Sequence, residues 1–117
     1  MANNAVNKMF RAFSDPTRLR ILHLLLVEKE MCVGDLVAVL RVPQPTASRH
    51  LSYLRRAGLV STRRTGLWTN YSLLPARNPF HRELLKCLGS CFQDVPELSK
   101  DARRAKNMRK TGGCCPS

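Results

Sequence analysis

Three observations predict a mainly α-helical fold carrying one small β-hairpin. Apolar residues recur at three-to-four spacing along most of the chain, the period of a helix with one buried stripe. That period gives way to β-rich runs only between residues 59 and 74. Pro16, Pro45 and Pro79 each stand where a periodic stretch begins, which is where a helix tolerates proline. At 117 residues the chain suits one small domain, or a small domain with further helices that pack on a partner.

The elements follow in order. "AVNKMFRAF" puts Val6, Met9, Phe10 and Phe13 on one face of a first helix. "SDPTRLRILHLLL" starts a second, with Ser14 or Asp15 as N-cap and Leu19, Leu22, Leu25 and Leu26 as its buried stripe. "MCVGDLVAVLRVPQPTASRHLSYLRRAGLV" then reads as a short helix, a tight turn and another helix. Val33, Leu36, Val37 and Leu40 give the short helix an apolar face, and "RVPQP" cannot continue it, because a residue before proline avoids helical geometry. The next helix starts at Pro45 and runs to about Ala57, with Gly58 as its C-terminal cap. Its inward residues are Ala47, Leu51 and Leu54. The opposite face carries Thr46, Arg49, Tyr53 and Arg56, flanked by Ser48, His50 and Ser52. "LVSTRR" and "WTNYSLL", joined by "TG", make a hairpin with Arg63 and Arg64 near its tip. Two helices close the chain: "FHRELLKCLGSCF", with Phe80, Leu84, Leu88 and Phe92 on one stripe, and "PELSKDARRAKNM", with Leu98, Ala102, Ala105 and Met108 on one side.

Helix, turn, helix and two-stranded ribbon is the winged helix-turn-helix plan. We expect it to fill residues 1–95, with residues 96–117 forming a C-terminal helix and a cysteine-bearing tail. Such a helix enters the major groove by its N-terminal residues while arginine and hydroxyl side chains fix register on phosphates. Charge agrees. Net charge is +12, from 20 Lys and Arg against 8 Asp and Glu. No acidic residue lies between Asp35 and Glu83, whereas Arg41, Arg49, Arg55, Arg56, Arg63, Arg64, Arg77 and Arg82 all do, which fits an anionic partner such as double-stranded DNA.

No run of eighteen apolar residues offers a membrane span, and the first ten residues lack a signal-peptide core, so a cytoplasmic protein is expected. Five cysteines in a reducing compartment read as thiols rather than a disulfide framework. An enzyme is not expected: there is no phosphate-cradling glycine loop, spaced acid pair or Cys-x-x-Cys pair, and no organic cofactor is implied.

"DPTRLRILHLL", "QPTASRHLSYLRRAGLV" and the basic hairpin ending "TNYSLLP" resemble the ArsR family of metal-responsive repressors, over roughly residues 10 to 75. The resemblance implies a homodimer built on the first and last helices, which holds operator DNA when empty and releases it on binding an inducer. It also implies that Gln44, Thr46, Ser48, Arg49 and His50 face bases or phosphates. Ser52, Tyr53, Arg56, Arg63 and Arg64 extend that surface.

The inducer site departs from the family. Where arsenic sensors of the best-known type carry Cys-Val-Cys, this chain has "CVGDL", so Cys32 is alone and Gly34 replaces the second thiol. The zinc pattern of the last helix, Asp and His followed by His and Glu, is also missing. The thiols gather instead at the C-terminus. Cys87 and Cys91 share a helix face at about 5–6 Å between β-carbons. Cys114 and Cys115 stand behind "TGG", placed there to reach back as ligands. The expected metal site is therefore Cys91, Cys114, Cys115 and Cys87, with the glycines as a hinge. Soft thiolates suit trivalent arsenic (arsenite or methylarsenite) or antimonite. Nearby Lys86, Arg109 and Lys110 are expected to favour thiolates. Alternatives are a persulfide, redox, cadmium or lead sensor on the same fold, or a constitutive DNA-packaging protein.

Overall fold

The computed structural model describes residues 2–91 and 94–113, with side chains from residue 6 onward. Among these residues six helices and three strands follow in the order α1 (Ala2–Phe13), α2 (Pro16–Glu28), β1 (Glu30–Cys32), α3 (Val33–Leu40), α4 (Gln44–Arg56), β2 (Val60–Thr65), β3 (Trp68–Leu73), α5 (Pro79–Ser90) and α6 (Pro96–Lys110). The expected helix, turn, helix and ribbon are present.

α2 is the central element. Asp15 caps it by accepting from the Arg18 N–H at 3.1 Å, with Pro16 next in line. Ile21, Leu22, Leu24 and Leu25 are fully buried, and Leu36, Leu40, Leu51, Leu54 and Leu59 close round them. Burying one such side chain contributes about 1.5–3 kcal/mol, so this leucine cluster sets the stability of the fold.

α4 stops where the sequence says it should. Gly58 has φ +79, its N–H donates to Arg55 O at 3.0 Å, and the Leu59 N–H donates to Leu54 O at 3.0 Å. These are the two bonds of a Schellman cap, sealed by buried Leu54 and Leu59. A side chain at Gly58 is disfavoured by its φ of +79, and a β-carbon there would also displace the Arg77 guanidinium that donates to Gly58 O.

The sheet differs from a plain hairpin. β1 pairs with β3 in antiparallel register, Met31 against Tyr71 and Cys32 against Asn70, giving the order β1-β3-β2. The hairpin turn is Gly66 and Leu67, with Gly66 at φ +63, so β2 continues through Thr65. Arg63 and Arg64 therefore lie in β2 near the tip, as expected, opposite Asn70 and Thr69.

α6 packs on α2 and α3, burying Leu98, Asp101 and Ala105, and Ala105 joins the main core. Its last turn is closed by Gly112 (φ +97) and Gly113 (φ +70), with N–H bonds to Arg109 O at 3.3 Å and Met108 O at 2.9 Å. This is a second Schellman cap, so the glycines expected as a hinge end the helix in a fixed geometry. Phe92, Cys114 and Cys115 lie outside the described residues.

Candidate nucleic-acid interface and thiol positions

The surface of α4 is built by what it leaves outside the core. Gln44, Arg49, Ser52, Arg55 and Arg56 are exposed, Thr46 and Ser48 are half-buried, and Ala47, Leu51 and Leu54 point inward. Gln44, Thr46, Ser48 and Arg49 thus stand together on the first two turns, the part of such a helix that meets base edges. Arg55, counted in the basic run but not among the expected DNA-facing residues, extends the cationic surface beside Arg56.

His50 and Tyr53 do different work from that expected. His50 is only 9 % exposed and faces α2, with Nδ1 3.4 Å from the Arg18 guanidinium and Nε2 3.7 Å from the Asp15 carboxylate. Tyr53 is half-buried, with the Arg18 guanidinium carbon 4.1 Å from its ring centre. Arg18 also donates to Ala12 O at 3.0 Å and Arg11 O at 2.7 Å, the last carbonyls of α1. One arginine thereby ties the end of α1 to the inner flank of α4. The contact orients the exposed face.

On the wing, the two arginines separate. Arg63 grips Glu30 with both arms of its fork, Nε at 3.0 Å and a terminal nitrogen at 2.6 Å, and also donates to Thr65. That fork holds the Glu30 carboxyl below the usual carboxylate range. Arg64 is exposed and, one residue on, points to the opposite face of the ribbon.

The three histidines share a tendency. Burial lowers the proton affinity of His81, His50 and His23 below the ordinary 6.5. His81 is fully buried, its Nδ1 accepting from the Arg77 N–H at 3.3 Å. A histidine whose folded pKa is depressed takes up its proton more readily when unfolded, so its stability contribution is complete above 6.5 and is lost as pH falls below it. The limiting slope is about 1.4 kcal/mol per pH unit for each histidine. Urea unfolding midpoints are expected to be clearly lower at pH 5.5 than at pH 7.5, with His81→Gln reducing the difference. Equal midpoints would contradict this.

The described cysteines fall into two places. Cys87 and Cys91 lie together at the end of α5, where the Cys91 N–H donates to Cys87 O at 2.7 Å. The thiol–thiol hydrogen bond, followed by burial, pushes the Cys87 thiol up, opposite to the lowering expected from nearby cations. Cys32 is 3 % exposed at the N-cap of α3 and is disulfide-bonded. It lines a cavity of about 370 Å³ together with Met108, Gly112 and Gly113, whereas neither Cys87 nor Cys91 does. Among the described residues no three His, Cys, Asp or Glu side chains stand close enough to hold a metal ion. No described helix is long and apolar enough to cross a membrane.

Residues 15–62, the segment from the α2 cap into the wing, match the family described as bacterial regulatory protein, arsR family. The arsenic resistance transcriptional regulator ArsR1 of Pseudomonas putida is 38 % identical over 100 residues, covering 86 % of this chain and 77 % of that protein. The chain belongs to the ArsR family. As an ArsR protein it is a DNA-binding transcriptional repressor of the metal-responsive kind, not an enzyme. The arsenical resistance operon repressor of Escherichia coli is 44 % identical over 68 residues, 58 % of each chain. Among solved structures, the AntR antimony-specific transcriptional repressor superposes with a TM-score of 0.63 at 28 % identity, covering 82 % of each chain. The transcriptional repressor BigR from Xylella fastidiosa gives 0.63 at 36 % identity, over 77 % of this chain and 88 % of that one.

The residues that sequence reading missed are Arg18, Arg20, Asp101 and Arg104. Asp101 is fully buried and accepts from Arg20 Nε at 2.8 Å, a second Arg20 nitrogen at 3.0 Å and Arg104 at 2.7 Å. The one available signal was an aspartate two turns into α6 at the i+3 position from Leu98, on the edge of the apolar stripe.

Proposed function

We propose that this ArsR protein is a homodimeric, cytoplasmic repressor that holds double-stranded operator DNA and releases it when cysteine thiolates bind trivalent arsenic or antimony. Gln44, Thr46, Ser48 and Arg49 read the major groove, with Ser52, Arg55 and Arg56 on the flanking backbone. Arg64 reaches phosphates from the wing. His50, Tyr53 and Arg63 take supporting positions, because each already has partners within the chain. Dimerisation uses α1 and α5, where Phe10 is 52 % exposed and stacks edge-on with Phe80 at 4.9 Å between centroids.

The observation that carries the choice of inducer is the thiol supply. Two cysteines follow the α6 cap, and the ArsR relatives similar over 100 residues are named for arsenic resistance. A second reading, sensing of oxidants or persulfides, is favoured by the disulfide at Cys32.

Operator duplexes are first selected from a random library by the reduced protein. Fluorescence anisotropy then follows their release on adding arsenite, methylarsenite, antimonite, cadmium or a persulfide donor. Arsenite or antimonite is expected to weaken binding by about 5–150-fold, the usual span of such couplings. Release by cadmium or persulfide alone would overturn the arsenic reading.

A further inference from the structure

We infer that Arg18 is a positioning residue for operator spacing: it locks the angle between α1, which carries the dimer contact, and α4, which reads DNA, and so sets the half-site separation that the dimer accepts. This rests on the homodimer reading above and names the side chain that gives that dimer its register.

The corner between the first two helices is the first argument. α1 ends at Phe13 and α2 begins at Pro16, so only Ser14 and Asp15 join them. Ala12 is buried in the main core with Met9 and Phe13 packed against it, and these apolar contacts hold α1 to α2. Burial of that kind is non-directional and leaves the angle between two helices soft. Hydrogen bonds are directional, and the last turn of α1 leaves carbonyls without helical partners. Arg18, in the first turn of α2, takes two of them: Nε donates to Ala12 O at 3.0 Å and a terminal nitrogen donates to Arg11 O at 2.7 Å. Ser14 closes the corner on the same Arg11 carbonyl, through its N–H at 3.2 Å and its hydroxyl at 2.8 Å.

The second argument is that the same guanidinium faces α4. Its other terminal nitrogen stands 3.4 Å from His50 Nδ1, and its carbon lies 4.1 Å from the centre of the Tyr53 ring. His50 and Tyr53 are neighbours one turn apart on the inner flank of α4. Asp15 caps α2 through the Arg18 N–H and brings its carboxylate 3.7 Å from His50 Nε2, so the joining segment touches α4 as well. A flat group with five N–H donors holds two helices at a set angle, which the single point charge of a lysine does not. Among the described residues no other side chain makes polar contacts with both α1 and α4.

The consequence is geometric. A two-fold dimer of this motif meets half-sites about one helical turn apart, roughly 34–36 Å, and one base pair adds about 3.4 Å. Taking the 13.8 Å radius of gyration as the lever, a swing of about 14° shared between the protomers moves the recognition helices by one base pair. A corner that gives by half of that in each protomer no longer tells one spacing from the next. The exposed face of α4 is untouched, because Arg18 lies half-buried on its inner side.

The test selects operators from a random library with the reduced full chain. Anisotropy then follows binding to duplexes whose half-site spacing is the selected one or differs by one or two base pairs, and to a duplex with one half-site. The wild type is expected to lose at least about tenfold in affinity for a one-base-pair change, as it would for a mismatched base. Arg18→Met keeps the apolar stem and removes the fork. It should lose less than about threefold on that change, while binding the single half-site within about twofold of wild type. Arg18→Lys keeps the charge over Tyr53 and should fall between, and it serves if the methionine variant melts too early to assay. Wild-type spacing preference retained in both variants overturns the inference. So does a loss of equal size on every duplex, single half-site included, which marks a defect in α4 itself rather than in its placement. Both of those results leave the homodimer reading standing. A wild type that selects one half-site, with no second copy at fixed spacing, removes that reading and this inference together.

Discussion

Asp101→Ala is expected to destabilise the protein by about 3–5 kcal/mol, because it removes one partner from a buried ion pair and leaves the others. The carboxylate is fully buried, and the Arg20 and Arg104 side chains that bind it are only 14 % and 28 % exposed. The hydrogen bond to Asp101 outweighs the burial that opposes the Arg20 charge, so the guanidinium is held charged. A chain of this size should lose more than about 10 °C of melting temperature, read by circular dichroism. Asp101→Asn keeps the volume and part of the bonding, and should fall between. A melting point unchanged in the alanine variant would show that the network contributes no net stability.

The same substitution should also weaken communication with DNA. Arg20 donates to Leu40 O at 2.9 Å and Arg104 donates to Val39 O at 2.9 Å. These are carbonyls of the last turn of α3, which lack partners within the helix. Asp101 therefore holds two guanidinium groups on the end of α3, immediately before the turn that leads to α4. At its other end α6 is fastened by Arg109 to Glu28 at 3.4 Å and by Gly113 over Asp35. α6 thus spans α3 from one end to the other. An inducer whose effect reaches α4 by moving α6 against α3 would have to act through this anchor. With the anchor gone, the inducer-driven loss of operator affinity should shrink well below its wild-type value.

Local signals carried most of the fold. Asp15, Pro16, the "RVPQP" break and Gly58 place the ends of α2, α3 and α4, because capping and proline effects act within a few residues. β1 was not legible: three residues, Glu30–Cys32, have no periodicity of their own and become a strand only by pairing with β3. His50 and Arg63 were read as outward-facing because helix and strand angles rank positions on one element alone. What turns them away is Asp15 and Arg18 in one case and Glu30 in the other, 32 to 35 residues distant for His50 and 33 for Arg63. Asp101 was lost among the charges of "KDARRAKN", which resemble a solvated face until Arg20 of α2 is brought against them. The two glycines behind Thr111 read as flexible because glycine permits many conformations. The bonds to Arg109 and Met108 select one.

The second large effect is expected at the exposed face of α4. Arg49→Ala should cost about 1–3 kcal/mol of operator binding, roughly 5–150-fold, and relax preference at the bases it meets. Arg49 is exposed on the second turn beside half-buried Ser48, above the buried pair Ala47 and Leu51 that fixes the rotation of the helix. Arg64→Ala should behave differently. A wing arginine on phosphate weakens specific and non-specific duplexes alike, and its loss lowers the salt slope of log K by about 0.9 for one contact. Arg63→Ala is the internal comparison, since its fork is already closed on Glu30 and its loss should change the slope less than Arg64→Ala does. Anisotropy titrations at several salt concentrations, on a selected operator and a scrambled duplex, separate the three. If Arg49→Ala lowers affinity for both duplexes by the same factor, Arg49 binds phosphate and base reading passes to Gln44, Thr46 and Ser48.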